Sequence, residues 1–210
     1  MVGAFLNFGN YMIQGKNIFW IFFVSIFQAF EYPDFNVLVN NNPYPEDIFI
    51  NIKSVDEGSN FMAIIDTDLN LKWHVVNLDG KGWDFKVNEN GKITYFEKFT
   101  GSSSRGVWHV MDSGMQEIKT FECINGYETD NHDIYYLNNG GYILQAYHKE
   151  AIDIPQTAHI DTARTLVLQE FDPNDNLVFE WKNSDHMDIN QYIDSFNLNT
   201  NYLNWMHGNS

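Results

Sequence analysis

Apolar and polar residues alternate over short runs along most of this chain, and each run ends at a polar turn. "FMAIIDTDLNLKWHV" (Phe61 to Val75), "GVWHVMDSGMQEIKTF" (Gly106 to Phe121) and "TLVLQEFDPNDNLVFEW" (Thr165 to Trp181) each carry an apolar segment up to Asp66, Asp112 or Asp172. A polar turn follows, then a second segment closing on Trp73, Phe121 or Trp181. A period of two is that of a strand with one face buried. A different unit alternates with this one: "WDFKVNENGKITYF" (Trp83 to Phe96) and "HDIYYLNNGGYILQ" (His132 to Gln145) share an aromatic or imidazole, an aspartate, alternating apolar residues, an Asn-Gly turn and a returning strand. Asp84 and Asp133 are 49 residues apart. Two hairpins per period of about 50 residues make four strands, the arithmetic of a β-propeller blade. The pattern predicts an all-β fold over residues 31–210: a partial β-propeller of four-stranded antiparallel blades, about two and a half in number, with Trp83 and His132 at matching places on the opening strands of successive blades. Asn183 to Asn204 breaks the rhythm and is too polar for a core strand, which predicts a loop over one face.

The amino-terminal residues 1–30 follow another pattern. Lys16 precedes thirteen uncharged, mostly apolar residues, Ile18 to Phe30, and Glu31, Pro33 and Asp34 end the run. A membrane-crossing helix needs about 20 apolar residues, so the run is signal-peptide-like, and the expectation is export to a periplasmic or extracellular compartment. Phe27 is bulky for a cleavage site at Ala29, which leaves a retained anchor open.

Charge narrows the partners. A net charge of −16 and a pI near 4.5, with no Lys/Arg cluster, oppose binding to phosphate backbones, so no nucleic acid partner is expected. One cysteine, Cys123, excludes an internal disulfide. The "DTDLN" and "DPNDN" turns lack the glycine and distal glutamate of a calcium loop, and His74, His109, His148 and His159 lack zinc spacing; no metal is expected. Trp73, Trp83, Trp108 and Trp181 suit a core between sheets. Arg105, in "GSSSRGVW", and His186, in "SDHMD", are secondary candidates for anion contact.

"NHDIYYLNNGGYILQAY", "LQEFDPNDNLVFEW" and the final "WMHGNS", in that order, resemble the PAPS-independent arylsulfotransferase family, whose members carry a His-Asp or His-Glu strand, an Asp-turn-Trp hairpin and a Trp/Tyr-x-His-x-Asn-Ser run. The resemblance runs from about Tyr32 to Ser210. It implies a six-bladed propeller, usually exported, that moves a sulfuryl group from a phenolic sulfate ester donor to a phenol acceptor through a sulfated histidine, without a nucleotide or other cofactor. By the same resemblance His132, His207 and Asn209 bind the sulfuryl group, and the nucleophilic histidine lies beyond Ser210. This makes the chain the amino-terminal portion of such a propeller, inactive alone. Gly208 departs from the bulkier apolar residue usual there. Homo-oligomer formation is left open. The competing expectation is a non-catalytic propeller that binds a ligand or protein across its face, since fold alone does not choose between them.

The chemistry suits such residues. Charge in sulfuryl transfer spreads over the non-bridging oxygens, so fixed imidazole and amide donors lower the barrier electrostatically. A histidine nucleophile splits the reaction into two steps, and a phenolate needs little acid assistance because phenols ionise near pH 10.

Overall fold

The computed structural model describes residues 38–39, 41–42, 44–53, 60–77, 81–99, 105–152, 162–195 and 202–205, all within one compact unit, Phe35–Ser210. Residues 1–30 and the "MHGNS" end, with His207 and Asn209, lie outside the described residues, so the leader or anchor expectation and two of the three site positions are not described.

The described chain is strands joined by turns, in three sheets. The first holds β1 (Ile48–Lys53), β2 (Asn60–Ile65) and β3 (Leu71–Asn77). The second holds β4 (Lys81–Val87), β5 (Ile93–Lys98), β6 (Gly106–Met111) and β7 (Glu117–Phe121). The third holds β8 (Glu128–Tyr136), β9 (Tyr142–Ala151), β10 (Thr162–Phe171) and β11 (Leu177–Lys182), with β12 (Tyr202–Asn204) added. Within each sheet, β1 to β11 pair with their sequence neighbours, antiparallel throughout. The all-β expectation holds, and so does the repeat. Lys86↔Thr94 and Val87↔Ile93 in the second sheet become Tyr135↔Ile143 and Tyr136↔Tyr142 in the third, each displaced by 49 residues.

The three Asp-led turns share one solution. The carboxylate Oδ1 of Asp66 accepts the amides of Asp68 and Asn70 at 3.0 and 2.8 Å; Asp112 does so from Gly114 and Gln116, and Asp172 from Asn174 and Asn176. The fourth turn residue, Leu69, Met115 or Asp175, takes positive φ. These carboxylates are occupied by their own turns, and hydrogen bonds from Asn70 and Asn176 hold Asp66 and Asp172 below the usual carboxylate range. At the Asn-Gly sites each turn is closed by a glycine, Gly91 N–H to Asn88 C=O and Gly140 N–H to Leu137 C=O, with each glycine at positive φ.

Alternation builds the packing. Met62 and Ile64 of the first sheet meet Phe85, Ile93, Tyr95 and Met111 on one face of the second. The other face of the second sheet, Phe96, Trp108, Val110 and Phe121, meets Ile134, Tyr142, Leu144 and Phe171 of the third. Trp108 is fully buried in that layer, and Trp73 and Trp83 pack at the borders of the two layers.

The region after β11 departs from the sequence expectation. It is not a plain loop: 3-10 turns occupy Asn183–Asp185 and Ile189–Ser195, and β12 then joins β10 in parallel, Thr162↔Tyr202 to Arg164↔Asn204. The third sheet therefore exceeds four antiparallel strands. The cause is length: β10 has ten residues, β11 covers only Val167 to Phe171, and the remaining edge would otherwise go unpaired. Asn183 completes the changeover. Its side chain is fully buried, and its Oδ1 accepts the Leu166 N–H at 2.8 Å where the β11 ladder stops.

Candidate functional site

Of the three residues that the resemblance assigns to the sulfuryl group, His132 is the one described. It lies inside β8, after the strand has opened at Glu128, on the first strand of its sheet; Trp83 sits on the first strand of the second sheet. The β8 to β9 ladder shifts register between Thr129 and Ile134, so residues 130–133 form an irregular stretch. Irregularities of this kind re-aim side chains next to functional sites. β4 has its own irregularity between Trp83 and Lys86, with Asp84 at a φ of 47°.

Asp130 fixes the histidine. Its carboxylate is 1% exposed, and three donors converge on the single oxygen Oδ2: the His132 backbone N–H at 2.9 Å, the His132 ring at Nδ1 by a short contact, and the Gln145 amide at 3.2 Å. Its backbone carbonyl accepts the Trp108 indole N–H at 3.0 Å. A carboxylate can only accept, so Nδ1 carries the proton; in the neutral ring Nε2 then bears the lone pair. The His132 side chain keeps 30% of its exposure. The carboxylate therefore fixes both the orientation and the tautomer of the imidazole. The sequence reading missed Asp130 and Gln145. An acid two residues before the histidine, in "TDNHD", is the only signal, and it means nothing until the irregular strand folds the two side chains together.

The aspartates of the repeat do something else. Lys86 joins the first strands of two sheets, reaching Asp84 Oδ2 at 2.6 Å and Asp133 Oδ1 by a short contact. Burial raises the Asp84 carboxyl above its usual range despite the lysine. Burial works against charge on Lys86, but its bonds to Asp133 and Asp84 outweigh that and keep its pKa above normal. This is a structural tie between neighbouring sheets.

Gln145 links buried Asp130 to the face of the third sheet turned away from the second. Tyr142 and Leu144 of β9 point toward the second sheet, so Ile143, Gln145, Tyr147 and Lys149 point the other way. A depression of ≈ 100 Å³ on this side is lined by Asp133, Tyr135, Ile143, Gln145 and Leu168, and Tyr135, Val178 and Phe179 of the sheet are more than half exposed. Trp181 stacks on His186, with ring centroids 5.6 Å apart, rather than filling a core between sheets. A larger cavity of ≈ 330 Å³ opens where β7 connects to β8, between Arg105, Glu122, Cys123, Tyr127, Glu128 and Thr129. Arg105 is therefore a lip residue of a cavity next to Asp130, and burial pushes the Cys123 thiol there up to about 12.

The "WMHGNS" run is tethered to this sheet at its start. β12 pairs with β10, and the Trp205 N–H donates to the Arg164 carbonyl at 3.1 Å. Trp205 packs with Ala163, Ile189 and Leu203. His207 and Asn209 follow Trp205 by two and four positions. His109 is not a ligand of this region. It is buried between Glu97 and Glu117, at 2.8 and 2.7 Å, and stacked on Tyr95. Among the described residues no cluster of three metal-ligating side chains occurs.

No curated protein matches the chain. The model of the arylsulfotransferase (ASST) family matches residues 35–210, a stretch that takes in every strand described above together with Asp130, His132, His207 and Asn209. With five sixths of its length inside that match, the chain belongs to the arylsulfotransferase family.

Proposed function

We propose that the three sheets are successive blades of an arylsulfotransferase β-propeller, and that His132, with His207 and Asn209, binds the sulfuryl group of a phenolic sulfate ester that is passed to a phenol through a sulfated histidine. The family match supports the chemistry. The blade reading is supported by sheets that meander in sequence order, pack face to face in turn and repeat their pairing after 49 residues. The chain in this reading is exported by its amino-terminal segment and needs no nucleotide.

The single observation that carries the site is the convergence of His132 on buried Asp130. With Nδ1–H held by the carboxylate, the ring presents Nε2 in a fixed direction. When Nε2 carries a proton it donates to a non-bridging sulfuryl oxygen, and Asp130 balances the charge of the ring. Such a donor, prepared before the reaction, stabilises charge as it builds on those oxygens. Leaving phenolate takes its electron pair with it and needs no strong acid.

Isothermal titration tests this. 4-Nitrophenyl sulfate should bind saturably, 4-nitrophenol much more weakly, and His132→Gln should lose roughly tenfold or more in affinity for the sulfate ester, in line with a hydrogen bond between charged groups. Equal binding of ester and phenol, or unchanged affinity in His132→Gln, would refute the assignment and favour a propeller that binds some other ligand.

A further inference from the structure

We infer that Lys86 is a positioning residue for His132: with Trp108 it clamps the irregular stretch of β8 that carries the histidine, so that the second sheet sets the aim of a residue on the third; this rests on the proposed function. The stretch needs holding. β8 advances from Thr129 to Ile134 while β9 advances only from Ala146 to Leu144, so none of residues 130–133 has a partner in that ladder. Fixing backbone outside a ladder costs conformational entropy, which other contacts have to offset. Asp130 holds the His132 amide and ring from within the stretch. That bond orients the ring relative to Asp130, and it leaves the stretch itself to be placed.

Two side chains of the second sheet place it, one at each end. The Trp108 indole N–H donates to the Asp130 carbonyl at 3.0 Å, and Lys86 Nζ donates to Asp133 Oδ1 by a short contact. Asn131 and His132 lie between the two grips. The grips are adjacent to one another: the ammonium of Lys86 lies 6.0 Å from the Trp108 ring centroid, and Trp108 is fully buried in the layer shared by the two sheets. Lys86 is aimed in turn by Asp84, whose Oδ2 lies 2.6 Å from Nζ. Asp84 takes a φ of 47° at the register shift of β4, in a region that residues with side chains rarely adopt. Backbone held there persists only where its surroundings fix it, and it clusters at functional sites.

Stability alone does not account for this triad. The side chains of Asp84, Lys86 and Asp133 keep 27%, 31% and 36% of their exposure. Burial opposes the charge of Lys86, whose pKa stays raised only through its two carboxylates, and burial raises the Asp84 carboxyl. A partly buried ion pair gains little net stability over an apolar contact of the same size; what it supplies is a fixed arrangement. The repeat points the same way. The residue 49 places after Lys86 is Tyr135, which is 51% exposed, so the hairpin that both units share does not require the lysine. It occurs where β4 meets β8.

The test uses the whole chain as wild type, Lys86→Met, Lys86→Arg, Asp133→Ala, the double variant Lys86→Met with Asp133→Ala, and His132→Gln, with thermal melts to check folding. NMR follows the ring nitrogens of His132 in the ligand-free chain, and isothermal titration with 4-nitrophenyl sulfate follows affinity. Lys86→Met and Asp133→Ala should each move the His132 signals, leave those of His109 in place and weaken the ester by about three- to tenfold, part of a hydrogen bond between charged groups. The double variant should be no worse than either single one, because each change breaks the same grip. Lys86→Arg should recover part of the loss, since it keeps a charged donor within reach of Asp133. If Lys86→Met does not melt cooperatively, Asp133→Ala, at the more exposed end of the grip, carries the test. Wild-type His132 signals and wild-type affinity in the variants that fold overturn the inference. So does ester binding that weakens in Lys86→Met and strengthens in Asp133→Ala, the signature of charge rather than position. If wild type does not bind the ester, or His132→Gln binds it as wild type does, the proposed function fails; the grip is then judged by the ligand-free His132 signals, which support it if displaced in Lys86→Met and overturn it if unmoved.

Discussion

Replacing Asp130 separates what its hydrogen bonds do from what its charge does. All three side-chain contacts of Asp130 fall on one oxygen, Oδ2, inside a site that is 1% exposed. Asp130→Ala removes that oxygen and leaves the His132 N–H and the Gln145 amide without their acceptor. A buried donor without a partner costs about 1–3 kcal/mol, so the loss should total about 2–5 kcal/mol. For a chain of this size 1 kcal/mol moves Tm by roughly 2–4 °C, which predicts a fall of about 5–15 °C. Asp130→Asn keeps one carbonyl oxygen able to accept from all three donors, so its cost should stay below about 1.5 kcal/mol. Urea and thermal unfolding measure both, and long-range proton–nitrogen NMR correlations report which nitrogen of His132 is protonated. Wild type and Asp130→Asn should show the Nδ1–H tautomer in the neutral ring, and Asp130→Ala should lose that preference. The account is refuted if Asp130→Ala melts within about 2 °C of wild type, or if Asp130→Asn costs as much as Asp130→Ala.

Other outcomes follow from the packing and the turns. Trp108→Ala empties the fully buried layer between the second and third sheets and removes the donor to Asp130, so it should cost about 3–5 kcal/mol by denaturant titration; a cost under 1 kcal/mol would contradict that packing. Asp66 and Asp172 have lowered pKa values in the folded chain, so their contribution to stability is present above the ordinary carboxylate range and is lost as pH falls through the lowered values, below about pH 4. In the double variant Asp66→Asn, Asp172→Asn, the decline in stability between pH 4 and pH 2 should be shallower, measured by urea midpoints. Cys123, with its thiol pushed up to about 12, should react with iodoacetamide at pH 8 far more slowly in the folded chain than in urea, and equal rates would contradict its burial.

The repeat made the hairpins legible because it is written locally: alternation, an acid or Asn-Gly at the turn, alternation again. Asp66, Asp112 and Asp172 each bond to the amides two and four residues ahead, and nothing distant is needed to form that turn. The pairing after the repeat was legible for the same reason. The parallel strand β12 was not, because it exists only through the uncovered edge of β10, and its three residues carry no alternation of their own. The polar run that suggested a plain loop conceals Asn183, whose buried amide acts as a missing ladder partner. In the candidate site, His132 stood out beside Asp133, but Asp133 pairs with Lys86 and the partner of the histidine is Asp130. That exchange depends on the irregularity between Thr129 and Ile134, where β8 advances five residues while β9 advances two, and such a change in register is invisible in composition. The pairing of β9 with β10 likewise depends on how two long strands register across a connection of ten residues, 152–161.

The role of His132 is tested most directly by following its ring nitrogens by NMR while 4-nitrophenyl sulfate is titrated into the chain. The account predicts a saturable shift at His132 Nε2 at one ligand per chain, with Nδ1 still protonated toward Asp130, and no comparable shift at His109, which is enclosed by Glu97 and Glu117. A titration that leaves His132 unmoved while the ligand binds, or that moves His109 by as much, would contradict it.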